Sequence, residues 1–195
     1  MGKGRIEAFS DGVIAIIITI MVLEMKVPHG ADFNALKPLL PVFLSYVLSF
    51  VNVAIYWNNH HHLMHMVQHV NGKMMWANIN LLFWLSLMPF ATGWMGGNDF
   101  ASIPVALFGF VLMMSGVAYY ILAHSIIHLH GKQSKIAEAI GGDSKGIISV
   151  AAYFIAIPLA FISPWISVSL YTLVAAMWFI PDRRIEKKLA EKSKD

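Results

Sequence analysis

The sequence predicts an all-α integral membrane protein with six transmembrane helices per chain. Of its 195 residues, 57% are hydrophobic and 13% are charged, whereas soluble domains carry roughly 25% charged residues. A helix needs roughly 17–25 mainly apolar residues to cross the hydrocarbon core of a bilayer. Six apolar segments are candidates, over about 6–27, 36–57, 74–95, 101–127, 146–162 and 165–180. The last two are short and only Ser163-Pro164 separates them, so a re-entrant hairpin is the alternative for that pair.

Local sequence features affect the interpretation of two of these segments, the first and the third. The first has features of a secretory signal, because Lys3 and Arg5 precede an apolar run. However, Glu7 and Asp11 interrupt the run and no small-residue cleavage site follows it, which favours a retained span. In the third segment Pro89 predicts a kink, because proline lacks a backbone donor and its ring clashes with the preceding turn.

Basic residues are distributed unevenly between the two sides of the predicted bundle. Six spans place both termini on one side, and that side receives twelve of the fourteen Lys and Arg residues, all except Lys26 and Lys37. Cytoplasmic loops of membrane proteins carry such an excess of Lys and Arg. We therefore expect a multi-pass protein of the cell membrane with cytoplasmic termini, organised as a six-helix domain, 1–181, and a basic tail, 182–195. The tail is either a solvated segment or one attracted to anionic lipid headgroups.

Histidines crowd the cytoplasmic ends of the second and fourth spans. Histidines four residues apart share a helical face, and imidazole binds Zn, Cu, Fe and Ni, so the clusters are candidate metal ligands. No adjacent pair of histidines is preceded three residues earlier by another histidine, as it is in membrane di-iron enzymes. The absence of Cys excludes thiolate metal sites and disulfides. The simpler interpretation is a set of interfacial histidines that form hydrogen bonds between helices or face the cytoplasm: His60, His61, His62, His65, His69, His124, His128 and His130.

Polar side chains enter the membrane at the start of the first helix, in the pattern R-x-x-x-F-S-D. An ionisable residue inside a bilayer is rare and marks a candidate functional site, and a buried carboxylate needs hydrogen-bond donors. We expect Asp11 to organise a polar cluster between the first three helices, with a structural role as the simplest interpretation. Its candidate partners at matching depth are Arg5, His60, His61 and Asn80.

The outer half of the first helix is almost wholly apolar up to Leu23. Ile16, Ile20 and Leu23 are spaced i, i+4 and i+7, which at about 100° per residue places them within about 60° of one face. Thr19 lies beside that face and is the one polar side chain between Asp11 and Glu24. From spacing alone, this face is interpreted as a core face packed on other helices.

The R-x-x-x-F-S-D pattern of Arg5, Phe9, Ser10 and Asp11 resembles that of the lysosomal and prokaryotic potassium channels called transmembrane protein 175 channels. The similarity covers most of the chain, including Asn80, Pro89-Phe90 and the run Tyr56-Trp57-Asn58-Asn59-His60-His61. The resemblance implies a potassium-selective, leak-like cation channel that is not an enzyme and has no cofactor. It also implies a homotetramer, because prokaryotic members of that family have one six-span unit per chain.

In that family the first helices line the central pore. The resemblance therefore implies a constriction made by rings of Ile16, Ile20 and Leu23, with Thr19 as the layer that carries a hydroxyl. Four copies of one helix around an axis would turn these side chains into stacked apolar rings, which can gate by dewetting. Glu24, just outside Leu23, is a candidate for a ring of carboxylates at the outer mouth.

The resemblance also implies a role for the polar half of the first helix. The motif residues are expected to pack this helix against the second and third, and the implied residues are Arg5, Phe9, Ser10 and Asp11, with His60 or His61 and Asn80 as their partners. Three consecutive histidines leave open which of them is the partner.

Two other functions stay open from the residues alone. A membrane metalloenzyme would use the histidine clusters, and a proton-coupled cation transporter would use Asp11 and the histidines as a relay. The expected partners of the channel are potassium ions, the lipid bilayer and further copies of the chain. Nucleic acid is not expected, because the only basic run is the short tail.

Overall fold

The computed structural model describes residues 2–131, Ala137 and 144–179, and most of them are helical. The predicted tail, 182–195, lies outside the described residues, as do Lys132 and Lys135. The helices are α1 (Lys3–Leu23), α2 (Leu40–Met66), α3 (Gly72–Ser86), α4 (Met88–Gly97), α5 (Ser102–His130), α6 (Ser144–Leu159) and α7 (Pro164–Phe179), with a short 3-10 helix (Phe33–Leu39) before α2. Since α3 and α4 together form the third apolar segment, the all-α prediction with six helical segments is confirmed.

Helix length separates four of these segments from the other two. The four that are long and apolar enough to cross a membrane are Lys3–Leu23, Phe33–Met66, Gly72–Gly97 and Ser102–His130. α6 and α7 are apolar but have 16 residues each. Such a helix is about 24 Å long, shorter than the hydrocarbon core of about 30 Å. They are the two segments whose apolar runs the sequence predicts to be short.

The third apolar segment is divided at Leu87, between α3 and α4. Pro89 is the second residue of α4, where its missing N–H and its ring interrupt a continuous ladder of helical hydrogen bonds. The Leu87 N–H bonds the Trp84 carbonyl at 3.2 Å, which tightens the last turn of α3. The Ala91 N–H bonds the Leu87 carbonyl at 3.1 Å, which begins the next helix. The kink predicted from Pro89 is confirmed.

α5 is the central helix of the bundle, and α1 lies at its edge. α5 packs against α3, α4, α6 and α7, and side chains such as Val105, Phe108 and Leu112 are fully or almost fully buried on it. α1 packs against α2, α3 and α4. One side of α1 is therefore covered by its own chain, and the other side is open.

At one end of the bundle, hydrogen bonds join residues that are far apart in the sequence. The Lys3 ammonium lies 3.2 Å from the His65 carbonyl, which joins the start of α1 to the end of α2. At the end of α5, His130 Nε2 accepts hydrogen bonds from the backbone N–H groups of Gln68 and His69, at 3.1 and 3.4 Å. The His130 Nδ1–H donates to the Ile126 carbonyl at 3.0 Å, which leaves Nε2 free to accept. The α2–α3 connection is thereby attached to α5 at the end that also holds the chain's N-terminus.

Gly109 allows α5 and α7 to pack closely, and we predict that Gly109→Ala destabilises the protein. A Cβ at Gly109 would overlap the hydroxyl group of Tyr171, which is fully buried and donates to the Val105 carbonyl at 3.2 Å. Overpacking of this kind typically costs about 1–3 kcal/mol. The measurement is the thermal midpoint of the detergent-solubilised protein. Gly97→Ala is the control, because a Cβ at Gly97 meets nothing within 4 Å. Equal midpoints for the two variants would contradict this account.

Candidate functional site

The covered face of α1 carries large aliphatic side chains. Ile14, Ile17 and Met21 are 1%, 3% and 1% exposed, and Ser10 is fully buried at the same face nearer the N-terminus. Their spacing of three and four residues is that of one side of a helix. This side is the one that packs against α2, α3 and α4.

The other face of α1 is open. Ile16, Ile20 and Leu23 are 57%, 40% and 78% exposed, and Thr19 between them is exposed as well. The Thr19 hydroxyl donates to the Ile16 carbonyl at 2.9 Å. The interpretation of this face as a core face does not hold within the chain, because Ile16, Ile20 and Leu23 all remain at least 40% exposed.

The open face continues towards the N-terminus in a regular stripe, which we call the α1 stripe. It consists of Arg5, Phe9, Gly12, Ile16, Thr19 and Leu23, all exposed. The spacing alternates between four and three residues. This is the seven-residue repeat by which one helix packs along another in a coiled coil. The stripe therefore runs the whole length of α1.

Arg5 and Phe9 differ from expectation in this respect. The resemblance implies that they pack α1 against the second and third helices, whereas the structure leaves both exposed. The reason is helical register: Phe9 is seven residues before Ile16 and so shares the open face, while Ser10 is one residue further and points into the bundle.

A chain of hydrogen bonds joins α1, α2 and α3 in the interior. The Asn78 side-chain amide donates to Ser10 Oγ at 2.9 Å, and its oxygen lies 2.8 Å from His60 Nε2. Because that oxygen is an acceptor, His60 Nε2 carries the proton and donates. All three side chains are buried, Ser10 completely. A polar cluster therefore joins the first three helices, but Asn78 and not Asp11 is its central member.

Asn78 stands where the sequence suggests Asn80. The buried face of α3 carries Met74, Ala77, Leu81 and Leu85, and Asn78 shares this face because it is four residues from Met74 and three from Leu81. Asn80 is two residues from Asn78, about 200° round the helix, and is only partly covered. The apolar periodicity of α3 is the signal that identifies Asn78 as the inward-facing amide.

Asp11 has a different partner from those expected. Its Oδ1 accepts a hydrogen bond from the Trp57 indole N–H at 3.0 Å. His61 lies four residues further along α2, and its ring stacks on Trp57 with centroids 5.9 Å apart. Asp11 and His61 are both exposed within the single chain, so this second attachment of α1 to α2 lies at the surface rather than in the buried cluster.

Glu24 follows the last residue of α1 and is exposed. Its carboxylate lies beside α4, and a Cβ built on Gly93 would be 3.3 Å from Glu24 Oε2. The side chain thus leans onto the neighbouring helix, at the opposite end of α1 from Arg5.

The histidines do not form a metal site within the described part of the chain. No group of three or more His, Asp or Glu side chains there is arranged to hold a metal ion. His60 is engaged by Asn78, and His130 by the α2–α3 connection. His69 stacks on His130 with ring centroids 6.5 Å apart. Several of the histidines therefore serve as contacts between helices.

Comparison with known proteins decides the family. The family model for the endosomal/lysosomal potassium channel TMEM175 matches residues 5–89, which contain nearly all of α1, the whole of α2 and α3, and the start of α4. A protein from Chryseobacterium sp. named as a potassium channel is 56% identical over 191 residues, which cover 98% of this chain and 100% of that protein. The chain belongs to the TMEM175 family. Four helices of span length and membership of a channel family make it a multi-pass membrane protein.

Two further TMEM175 relatives extend the comparison. A crystal structure described as a lysosomal potassium-selective channel TMEM175 homolog from Chamaesiphon minutus matches with a TM-score of 0.80 and 27% identity, covering 91% of this chain and 96% of that one. TMEM175 from Gallus gallus, named an endosomal/lysosomal proton channel, is 35% identical over 103 residues, 47% of this chain and 21% of that protein. The names of these TMEM175 relatives are those of channels rather than enzymes.

Because Asn78 links three helices, we predict that Asn78→Leu destabilises the protein more than Asn80→Leu does. The change removes two hydrogen bonds and leaves buried groups of Ser10 and His60 without a partner, at a cost of about 1–3 kcal/mol. Asn80→Leu is the matched control on the partly covered side of α3. The measurement is the temperature at which half of each variant is lost from the monodisperse peak in size-exclusion chromatography. A loss that is equal for the two variants would show that the Asn78 contacts are not important for stability.

Proposed function

We propose that the protein is a potassium-selective, leak-like cation channel, formed by four copies of the chain around an axis lined by α1. The observation that carries the proposal is the α1 stripe, which leaves one side of a membrane helix without cover from its own chain. The names of the relatives as potassium channels supply the ion. We place the channel in the cell membrane with both termini on the cytoplasmic side, in accord with the distribution of Lys and Arg.

Closed rotational symmetry suits a chain with one uncovered helix face, because homo-oligomers are generally closed and cyclic. If α1 faces the axis, the α1 stripe is covered by three other copies of itself. Gly12, which lacks a side chain, then permits close approach of the helices near the middle of α1. The seven-residue repeat of the stripe supports this packing, since it is the repeat by which helices wind around one another.

In this assembly Ile16, Ile20 and Leu23 would form rings of apolar side chains along the pore. Water leaves narrow apolar constrictions, so such rings hinder ions until the pore widens. Thr19 lies between the rings with its hydroxyl hydrogen engaged by the Ile16 carbonyl. Its oxygen keeps lone pairs that can replace part of the hydration shell of a cation. We therefore assign Thr19 to selectivity and the aliphatic residues to the constriction.

The polar half of α1 would hold the pore helix in position. Ser10 anchors α1 to the buried Asn78–His60 pair, and Asp11 anchors it to Trp57, on which His61 stacks. Arg5 and Phe9 lie on the α1 stripe, so in the tetramer they contact a neighbouring copy rather than their own α2 and α3. We accordingly propose Arg5 and Phe9 as contacts between subunits. We propose no role for Asn80 in the attachment of α1.

Glu24 would lie at the outer mouth of the pore. It directly follows Leu23 at the end opposite the N-terminus, and four copies would place a ring of carboxylates there. Negative charge at a pore mouth raises the local concentration of cations. The position of the carboxylate beside Gly93 supports a place at the rim rather than on the axis.

The alternative functions receive less support. A metalloenzyme needs a set of ligands, and none is formed among the described residues. A proton relay through Asp11 and the histidines needs a connected path, whereas Asp11 bonds Trp57 and His60 bonds Asn78. Because the Gallus gallus relative is named a proton channel, proton flux is the competing readout in the experiment that follows.

We predict that Ile16→Asn and Ile20→Asn each raise potassium flux from proteoliposomes several-fold. Polar side chains in the rings hydrate the constriction and lower its barrier to ions. Ile155→Asn is the control, because Ile155 on α6 is 56% exposed, like Ile16 at 57%, but lies on a helix that does not pack against α1. Potassium release and proton uptake are measured separately, and each variant is first shown to have the mass of a tetramer.

The outcomes of this experiment are distinct. Unchanged flux in both α1 variants, or an equal rise in Ile155→Asn, would remove α1 from the pore wall. Flux of protons without potassium would identify a proton channel. A monomeric mass for the active protein would contradict the tetramer.

We predict that Thr19→Val lowers the potassium/sodium permeability ratio, whereas Thr19→Ser preserves it. Val has nearly the shape of Thr but lacks the oxygen, so the change removes a ligand of the dehydrated ion without changing the width of the ring. The ratio is measured from reversal potentials in planar bilayers with potassium on one side and sodium on the other. A ratio that is the same in Thr19→Val and the unmodified channel would assign selectivity to other residues.

A further inference from the structure

A cavity of about 410 Å³ lies between α2, α5, α6 and the end of α7, and we call it the α5–α6 cavity. Its volume is within the roughly 300–1,000 Å³ of small-molecule sites. Part of the space exists because Gly116 of α5 has no side chain: a Cβ there would lie 3.0 Å from Val150 Cγ2. Most of the wall is apolar or aromatic, and its rings are those of Tyr56, Tyr119, Tyr120, Tyr153, Phe154 and Trp178.

The α5–α6 cavity opens at the surface of the bundle. Tyr120, Ile147 and Phe154 line it and are also exposed. Ile147 and Phe154 are seven residues apart and so share one face of α6. In a multi-pass membrane protein a large exposed apolar face of this kind contacts lipid, so the cavity opens sideways to acyl chains rather than to water.

A positive charge lies at the edge of the same cavity. The Lys145 ammonium is 5.8 Å from the centroid of the Trp178 ring, and Trp178 is held in place by a hydrogen bond from its indole N–H to Ser149 Oγ at 3.0 Å. Lys145 is the second residue of α6, so it lies at the interfacial end of that helix. None of the described residues that line the cavity is acidic. The Lys145 ammonium therefore places a positive charge beside the ring that forms this rim.

We propose that the α5–α6 cavity binds an acyl chain of an anionic phospholipid, with the headgroup at Lys145. The apolar wall accepts the chain, and the interfacial ammonium neutralises the phosphate, an attraction of the kind that basic residues near a membrane surface supply. The lipid belongs to the leaflet on the side of the chain's N-terminus. This site is separate from the α1 stripe, and its position at the lipid-facing periphery rests on the proposed tetramer.

A neighbouring subunit is a less suitable occupant than a lipid. The α2 residues at the cavity, Asn52, Tyr56 and Asn59, lie about 100° round the helix from Trp57 and His60, which contact α1 and α3. The cavity and α1 are therefore on different sides of α2. A tetramer centred on α1 places the cavity towards its periphery, where the bilayer is the surrounding medium.

The test uses native mass spectrometry of the purified full-length protein, with phosphatidylglycerol or phosphatidylcholine of the same acyl chains added in equal amounts. Ile147→Trp narrows the mouth of the cavity, and Ile103→Trp is its control, because both isoleucines are 62% exposed and Ile103 is at the start of α5, away from the cavity. Lys145→Gln removes the charge, and Lys37→Gln in the 3-10 helix is its control. Each variant is compared only if it elutes as the unmodified protein does.

We expect the unmodified protein to retain phosphatidylglycerol in preference to phosphatidylcholine. Ile147→Trp should lower retention of both lipids, and Lys145→Gln should lower that of phosphatidylglycerol alone by about five-fold, the factor for one basic residue at a membrane surface. The two control variants should bind like the unmodified protein. The proposal is overturned if Ile147→Trp binds normally or if the controls lose as much lipid. It is also overturned if the unmodified protein retains no phosphatidylglycerol, or if Lys145→Gln retains as much of it as the unmodified protein does.

Discussion

The rotation of α1 about its own axis depends on one buried set of hydrogen bonds, the chain Ser10–Asn78–His60. Interhelical hydrogen bonds in membranes are individually modest, about 0.6 kcal/mol on average. Their importance here is geometric, because the Asn78 amide must meet α1 on one side and α2 on the other. The Asp11–Trp57 bond adds a second fixed point on the next residue of α1. Together they determine which face of α1 is turned away from the bundle.

Hydrophobicity alone would not determine that face. Beyond Gly12 the helix carries isoleucines on both sides: Ile14 and Ile17 are buried, and Ile16 and Ile20 are open. Lipid tails are as apolar as these side chains, so turning α1 would change little in the burial of apolar surface. Only the polar half distinguishes one rotation from another. The position of Ser10 therefore decides which isoleucines are left on the open face of α1.

This dependence explains what the sequence does and does not predict. Length, hydropathy and Pro89 are local signals, and they predict the helical segments and the break in the third one correctly. The choice between Asn78 and Asn80 depends on how α3 is rotated, which its apolar periodicity indicates. The exposure of Phe9 and the bond from Trp57 to Asp11 depend on how two helices meet, and no pattern within one helix contains that information. The seven-residue pattern R-x-x-x-F-S-D indicates the family, and the similarity to the Chryseobacterium protein extends over 98% of the chain.

The break at Leu87 has a mechanical consequence for α1. The segment before the break carries Asn78 and holds the inner end of α1, whereas the segment after it carries Thr92, whose hydroxyl lies 3.9 Å from the sulfur of Met21 at the outer end. Pro89 removes a hydrogen bond across the junction. The junction between α3 and α4, which hold the two ends of α1, is therefore more flexible than a continuous helix would be. The outer turns of α1 can therefore be displaced by a change of angle at Leu87 while the inner turns keep their register.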